Sequence, residues 1–267
     1  MDHEEALRLF DRRLRRRTGA DGPQARLRRA GDVIRESGSD DDWHGVVWSG
    51  LDAATADAAI AAQIAYFTAL GRDFEWKLYA YDRPHDLGAR LRAAGFTPEP
   101  EETLMVAETA ALPAPTTLPD GIRLVEVIDP AGVELMAEVH EQAFGTSAAK
   151  LRDQLLAELS RTPDTVLMTL AMAGDVPVCA ARMELHPGTG FASLWGGGTL
   201  AAWRGRGIYR ALVAHRARLA AAKGYRYLQV DASDQSRPIL QRLGFAVLTT
   251  TTPYLYEQRV HPSRPTV

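Results

Sequence analysis

Two stretches of this 267-residue chain read as copies of one another, and that repeat limits the folds open to it more than any other feature. FEWKLYAYDRPHDLGARLRAAGF begins at Phe74, and YRYLQVDASDQSRPILQRLGF begins at Tyr225. Each runs from an aromatic-rich strand through a short helix to Gly-Phe, at Gly95-Phe96 and Gly244-Phe245. Each is preceded by a longer helix that ends in glycine, at Gly71 and Gly224. Two α/β units in series follow, and a chain that is 46% hydrophobic supplies a core for each.

The copies differ where strand passes into helix. In the second, the strand-like run 191–200 enters a helix through Arg204-Gly205-Arg206-Gly207, and Ile208, Ala211, Leu212, His215 and Leu219 share one helical face. The glycines permit a tight turn and a close backbone approach, and the first N–H groups of the helix face outward with the positive end of its dipole. A pyrophosphate fits that description, a plain surface turn being the alternative. The first copy reaches its helix through Asp52-Ala53-Ala54-Thr55, which lacks those glycines.

Arg204-Gly205-Arg206-Gly207-Ile208-Tyr209 resembles the acetyl-CoA loop of the GCN5-related N-acetyltransferase (GNAT) superfamily. Five of its six positions conform; Tyr209 stands where the family usually carries a small residue. The order of elements in 122–256 is similar to the GNAT fold. The resemblance implies a mixed α/β chain of two GNAT-like domains, each a central mixed sheet flanked by helices. Residues 1–109 form a copy without cofactor, 110–119 a linker with three prolines, and 120–267 the acetyl-CoA-binding domain. It further implies that the parallel strands 191–200 and 225–232 splay to admit pantetheine, with backbone groups near Thr199 and Leu200 pairing its amides and one N–H polarising the thioester. The resemblance likewise implies that Arg204 to Tyr209 hold the phosphates. The family's second motif falls on Ser233 and Leu240, and leucine cannot act as the acid that a tyrosine supplies there. Ser233 is open to two roles, a cofactor contact and a helix N-cap.

The proton donor is therefore Tyr254, Tyr256, Tyr209 or water, or the thiolate leaves unassisted. For the base, the strand 191–199 holds no acid or histidine, and Glu184 on the preceding strand is placed to reach the cleft. Glu138, His140 and Glu141 read as solvent-facing helix residues, and Trp195 and Phe144 as core. Gly196-Gly197-Gly198 reads either as a bulge or as room for ligand. The expected reaction moves an acetyl group from acetyl-CoA to a primary amine on a small molecule or peptide, the alternative being an acyl-CoA-binding module without turnover.

A net charge of -3 argues against general nucleic-acid affinity, and the arginines among 12–17 read as a solvated helix face. Residues 40–42 read as an acidic loop. The single cysteine, Cys179, rules out an internal disulfide framework and reads as inert core. No metal spacing occurs among the seven histidines. With no signal-peptide core and no apolar run of membrane-spanning length, a cytoplasmic protein is expected. Residues 1–37 are expected to be helical.

Overall fold

The computed structural model describes residues 1–17, 19–20, 26–39, 42–112 and 118–258. Asp40 and Asp41 of the acidic loop, and residues 113–117 of the Pro-rich stretch, lie outside them. The chain folds as a mixed α/β protein in two compact units.

The helix expected over 1–37 is cut short. Helix α1 spans His3–Phe10, capped by Asp2, whose carboxylate accepts from the N–H groups of Glu4 and Glu5, and continues as a π-helical turn over Asp11–Arg15. Strands β1 (Gly19–Ala20), β2 (Arg26–Ala30) and β3 (Val33–Ser37) follow. Gly31, at φ +62°, turns β2 into β3 in the left-handed conformation that glycine tolerates best. Leu27, Val33 and Ile34 bury themselves in that hairpin, so packing across strands outweighed helix propensity.

The first unit draws its described residues from 16–20, 26–101 and 250–258. Strand β4 (Gly45–Ser49) pairs antiparallel with β3, helix α2 (Ala56–Ala69) crosses over, and β5 (Phe74–Tyr79) returns parallel to β4. Helix α3 (Leu87–Ala93) and the short strand β6 (Thr97–Pro98) complete the segment. The core gathers Val46, Ile60, Phe67, Phe74, Trp76 and Phe96, with the Phe67 and Phe74 rings stacked 4.3 Å apart.

The second unit comprises residues 1–15 and 102–249. Its sheet runs through β7 (Glu102–Glu108), β8 (Ile122–Glu126), β9 (Val166–Ala173), β10 (Val176–His186), β11 (Phe191–Thr199) and β12 (Tyr227–Ala232). The spatial order is β7-β12-β11-β10-β9-β8. Helices α4 (Pro130–Phe144) and α5 (Ala149–Arg161) precede β9, α6 (Ile208–Ala222) joins β11 to β12, and α7 (Arg237–Leu243) follows. Asp129, which accepts from Gly132 N–H at 2.8 Å, and Pro130 at the first helical position start α4 three residues earlier than periodicity alone suggests. Phe10 of α1 packs edge-on against Phe191.

Each unit includes a strand from the other half of the sequence. Strand β7 lies antiparallel to β12 in the second unit, while residues 251–256 of the last strand, β13 (Ala246–Tyr256), lie antiparallel to β5 in the first. Among the described residues, no helix is long and apolar enough to cross a membrane.

Candidate functional site

Strands β11 and β12 pair only at Phe191↔Tyr227, Ala192↔Leu228 and Ser193↔Gln229. Beyond Ser193, β11 continues to Thr199 without a partner on that side, which leaves a slot between the two strands. On its other edge Leu200 N–H donates to the Val178 carbonyl at 3.0 Å, and the alternation of an antiparallel ladder turns the N–H and C=O of Thr199 towards the slot. Of the two residues expected to meet the thioester, Thr199 presents its N–H and Leu200 has spent its own.

The glycine loop lies just after that strand. Gly205 and Gly207 adopt φ +76° and +86°, and Gly207 stands at the N-cap of α6 with no side chain capping the helix. From Gly205 to Arg210, none of the backbone N–H groups has a protein acceptor among the described residues; the first helical bond is Ala211 N–H to the Gly207 carbonyl. Six donors in a row, at the positive end of a 15-residue helix, fit an anion. Arg204 has another task. Its Nε donates to the Thr199 carbonyl at 3.0 Å and one terminal nitrogen to the Ala143 carbonyl at 3.1 Å, so it fastens the loop to β11 and to the end of α4. Arg206 is exposed, its guanidinium 4.7 Å from the Trp203 ring centre, and Ile208 is buried beneath the loop.

Of the two readings of the strand glycines, the bulge is seen at Gly196. Gly196, at φ +59°, forms a bulge where the β10 register shifts between Ala180 and Arg182. A Cβ on Gly197 would lie 2.6 Å from Cε2 of Tyr209, and one on Gly198 would lie 2.8 Å from Cε2 of Phe144. The room they leave is filled by the protein's own rings. Tyr209 shares this region with Arg216, a buried cation whose guanidinium donates to the carbonyls of Arg182 and Leu212. Burial pushes the Tyr209 phenol up, which weakens it as a proton donor. Burial likewise raises the Cys179 thiol, and its Sγ lies 3.1 Å from the Thr199 hydroxyl.

The other expected catalytic groups are not assembled around the loop. Glu184 forms an ion pair with Arg182 (Oε1 to Nε, 3.2 Å) on the same face of β10. Tyr254 belongs to the core of the first unit, opposite Trp76 on β5 and 4% exposed. Ser233 accepts from Ser236 N–H at 3.4 Å, inside the turn that starts α7, and Leu240 is buried core.

His140, expected to face solvent, is instead partly covered, because periodicity gives its helix position without saying what packs over it. It is half-buried and lines a cavity of about 90 Å³ between α4, α5 and the β10–β11 pair. Met136, Val139, Leu151, Leu155, Ala180, Arg182, Trp195, Gly196 and Gly198 complete the wall. Desolvation by burial lowers the His140 pKa; Glu141 opposes that shift and Arg182 reinforces it. Phe144, expected in the core, is 51% exposed, and its ring centre lies 4.7 Å from that of His140. Trp195, also expected in the core, is a wall of the cavity.

Residues 131–245 match the model of the Acetyltransferase (GNAT) family, a span that includes the glycine loop and His140. A comparison with curated proteins returned no match. Three solved structures share the fold over nearly the whole chain. A GCN5-related N-acetyltransferase from Kribbella flavida aligns at 20% identity with a TM-score of 0.67, over 96% of this chain and 95% of its own. A tandem GNAT protein from the clavulanic acid biosynthesis pathway aligns at 14% identity and TM-score 0.59, over 98% and 96%. A GCN5-related N-acetyltransferase from Sphaerobacter thermophilus aligns at 16% identity and TM-score 0.58, over 95% and 84%.

Proposed function

We propose, from a GNAT fold whose family match contains the glycine loop, that this chain transfers an acetyl group from acetyl-CoA to a primary amine and does so in its second unit. The supporting observation is the run of unsatisfied N–H groups from Gly205 to Arg210 at the open end of a slot beside Thr199. The cosubstrate's phosphates lie on the loop, its pantetheine arm enters the slot, and Thr199 N–H meets the thioester oxygen where charge develops during attack. Holding amine and thioester together supplies much of the remaining rate. Arg204 acts by tying the loop to Thr199, and Ser233 by shaping the turn before α7. In this reading the halves 1–109 and 120–267 are copies of one unit joined by 110–119, and the first has lost the cosubstrate. The protein works in the cytoplasm.

Calorimetric titration with acetyl-CoA tests the loop. Gly207→Trp places a bulky side chain at φ +86° in the anion cradle and is expected to weaken binding by about 100-fold or more. Equal affinity in the two proteins would remove the assignment.

A binding module without turnover is the second reading, favoured by Leu240 at the expected position of the acid and by the commitment of Glu184 to Arg182. Steady release of free CoA thiol with any amine eliminates it.

A further inference from the structure

The cavity beside the bulge has chemistry of its own. It touches Gly196 and Gly198 of β11, the strand whose Thr199 N–H faces the slot, so whatever occupies it lies next to the reacting carbonyl. Its walls are mostly apolar, from Met136, Val139, Leu151 and Leu155. None of its lining residues is a carboxylate, and its one cation, Arg182, is held by Glu184 at 3.2 Å and by Glu158 at 3.8 Å. Such a wall receives an apolar group and gives a second ammonium nothing to pair with. Among the described residues, neither ring nitrogen of His140 makes a hydrogen bond to protein, so the imidazole is free to meet a substrate proton.

Building on acyl transfer in the second unit, we propose that this cavity takes a primary amine carried on a single apolar group, and that His140 is the base that frees the amine. The incoming R–NH3+ gives one proton to the imidazole. The nitrogen lone pair then attacks the thioester carbon, the C–N bond forms, and the tetrahedral intermediate collapses with cleavage of C–S. The second proton of the attacking nitrogen passes to the departing thiolate to give CoA thiol, and the imidazolium releases its proton to solvent. This sequence needs no tyrosine acid, in keeping with Leu240 and with the weakened Tyr209. The charged groups around His140 are Glu141 on its own helix and Arg182 on β10, backed by Glu158 of α5 and Glu184. With burial lowering its pKa, His140 is a neutral acceptor of protons at pH 7.

The experiment compares isopentylamine with putrescine, which is of similar length but carries a second charge, as acceptors from acetyl-CoA, with CoA thiol as readout. Calorimetry with acetyl-CoA is run on the same preparations. Isopentylamine is expected to show kcat/KM about 10-fold or more above putrescine. His140→Gln is expected to lower kcat by roughly 100-fold, within the range general bases contribute, with little change in KM and with loss of the acidic limb of the pH profile. Equal or better turnover of putrescine, turnover of neither amine, or a His140→Gln enzyme that keeps its kcat and its acidic limb overturns the proposal while acetyl-CoA still binds. A wild-type protein that fails to bind acetyl-CoA overturns the parent reading as well. If His140→Gln fails to fold, as loss of acetyl-CoA binding would show, the amine selectivity of the wild type decides.

Discussion

The two units solve the same junction in opposite ways. In each, a strand pairs briefly in parallel with the next and enters a crossover helix: β4 meets β5 at two positions and β11 meets β12 at three. In the second unit the backbone before the helix is built on two left-handed glycines, and from Gly205 to Arg210 its N–H groups have no protein acceptor among the described residues. In the first unit the carboxylate of Asp52 accepts from Ala54 N–H, Thr55 N–H and the Thr55 hydroxyl, each at 2.9 Å, and the Asp52 carbonyl accepts from Ala56 N–H. Those bonds hold the Asp52 carboxyl below the usual carboxylate range. The first unit thus supplies its own anion at the place where the second leaves room for one from outside. The same strand–helix–strand frame thus carries a turn capped by its own carboxylate in one unit and a turn without a side-chain cap in the other.

The largest test of this contrast pairs Gly207→Trp with Ala54→Trp. The first is expected to weaken acetyl-CoA binding by about 100-fold or more in calorimetry and the second to leave affinity within about twofold, because the 52–55 turn already satisfies its N–H groups with the Asp52 carboxylate. Loss of binding in both would erase the distinction between the units. Next in size is Arg204→Ala, which removes two bonds to backbone carbonyls. Affinity for acetyl-CoA is expected to fall about 10-fold, roughly the 1.4 kcal/mol that one charged hydrogen bond contributes. Arg204→Lys should recover only part, since a lysine cannot span the Thr199 and Ala143 carbonyls with a planar fork. Full recovery would point to charge rather than to loop fastening.

Acidification separates the units in a different way. His140 has a lowered folded pKa, so between about 6.5 and that lower value the unfolded chain binds the proton first, and stability falls as pH drops. Asp52 behaves oppositely in range: its capping bonds persist until pH falls below about 3.8 and through its lowered pKa. Hydrogen exchange at pH 7 and pH 5 is expected to show faster opening around α4 while the 52–56 turn is unchanged. His140→Gln should flatten the first response; an identical response in that variant would assign it to another group, such as His215 of α6, whose pKa burial also lowers. The smallest effect is expected for Tyr209→Phe, whose kcat should stay within about threefold of wild type because the buried phenol is a poor donor. A hundredfold loss would restore Tyr209 as the acid.

Much of this protein was legible in its residues because the signals were local. Gly71, Gly207, Gly224 and Gly244 mark helix ends through backbone geometry that needs no distant partner, whereas the Asp129-Pro130 start of α4 was passed over. The hairpin at Gly31 was misread because an arginine-rich run satisfies helical and strand patterns alike until its apolar residues find a sheet to cover. Arg204 looked like a phosphate ligand from its place in the motif. Only folding brings the Ala143 carbonyl, 61 residues away, within its reach.

By itself the sequence determined that there would be two α/β units, and which of them has a glycine-built turn before its crossover helix, since repeats, periodicity and left-handed turns are properties of contiguous residues. Tertiary structure alone decided that each unit takes a strand from the opposite half of the chain. It also decided that Glu184 is paired, that Tyr254 lies in the core of the first unit, and that His140 faces a cavity beside β11. Those outcomes depend on which surfaces meet across long separations in sequence, and burial, ion pairing and shifted pKa values arise only once they have met.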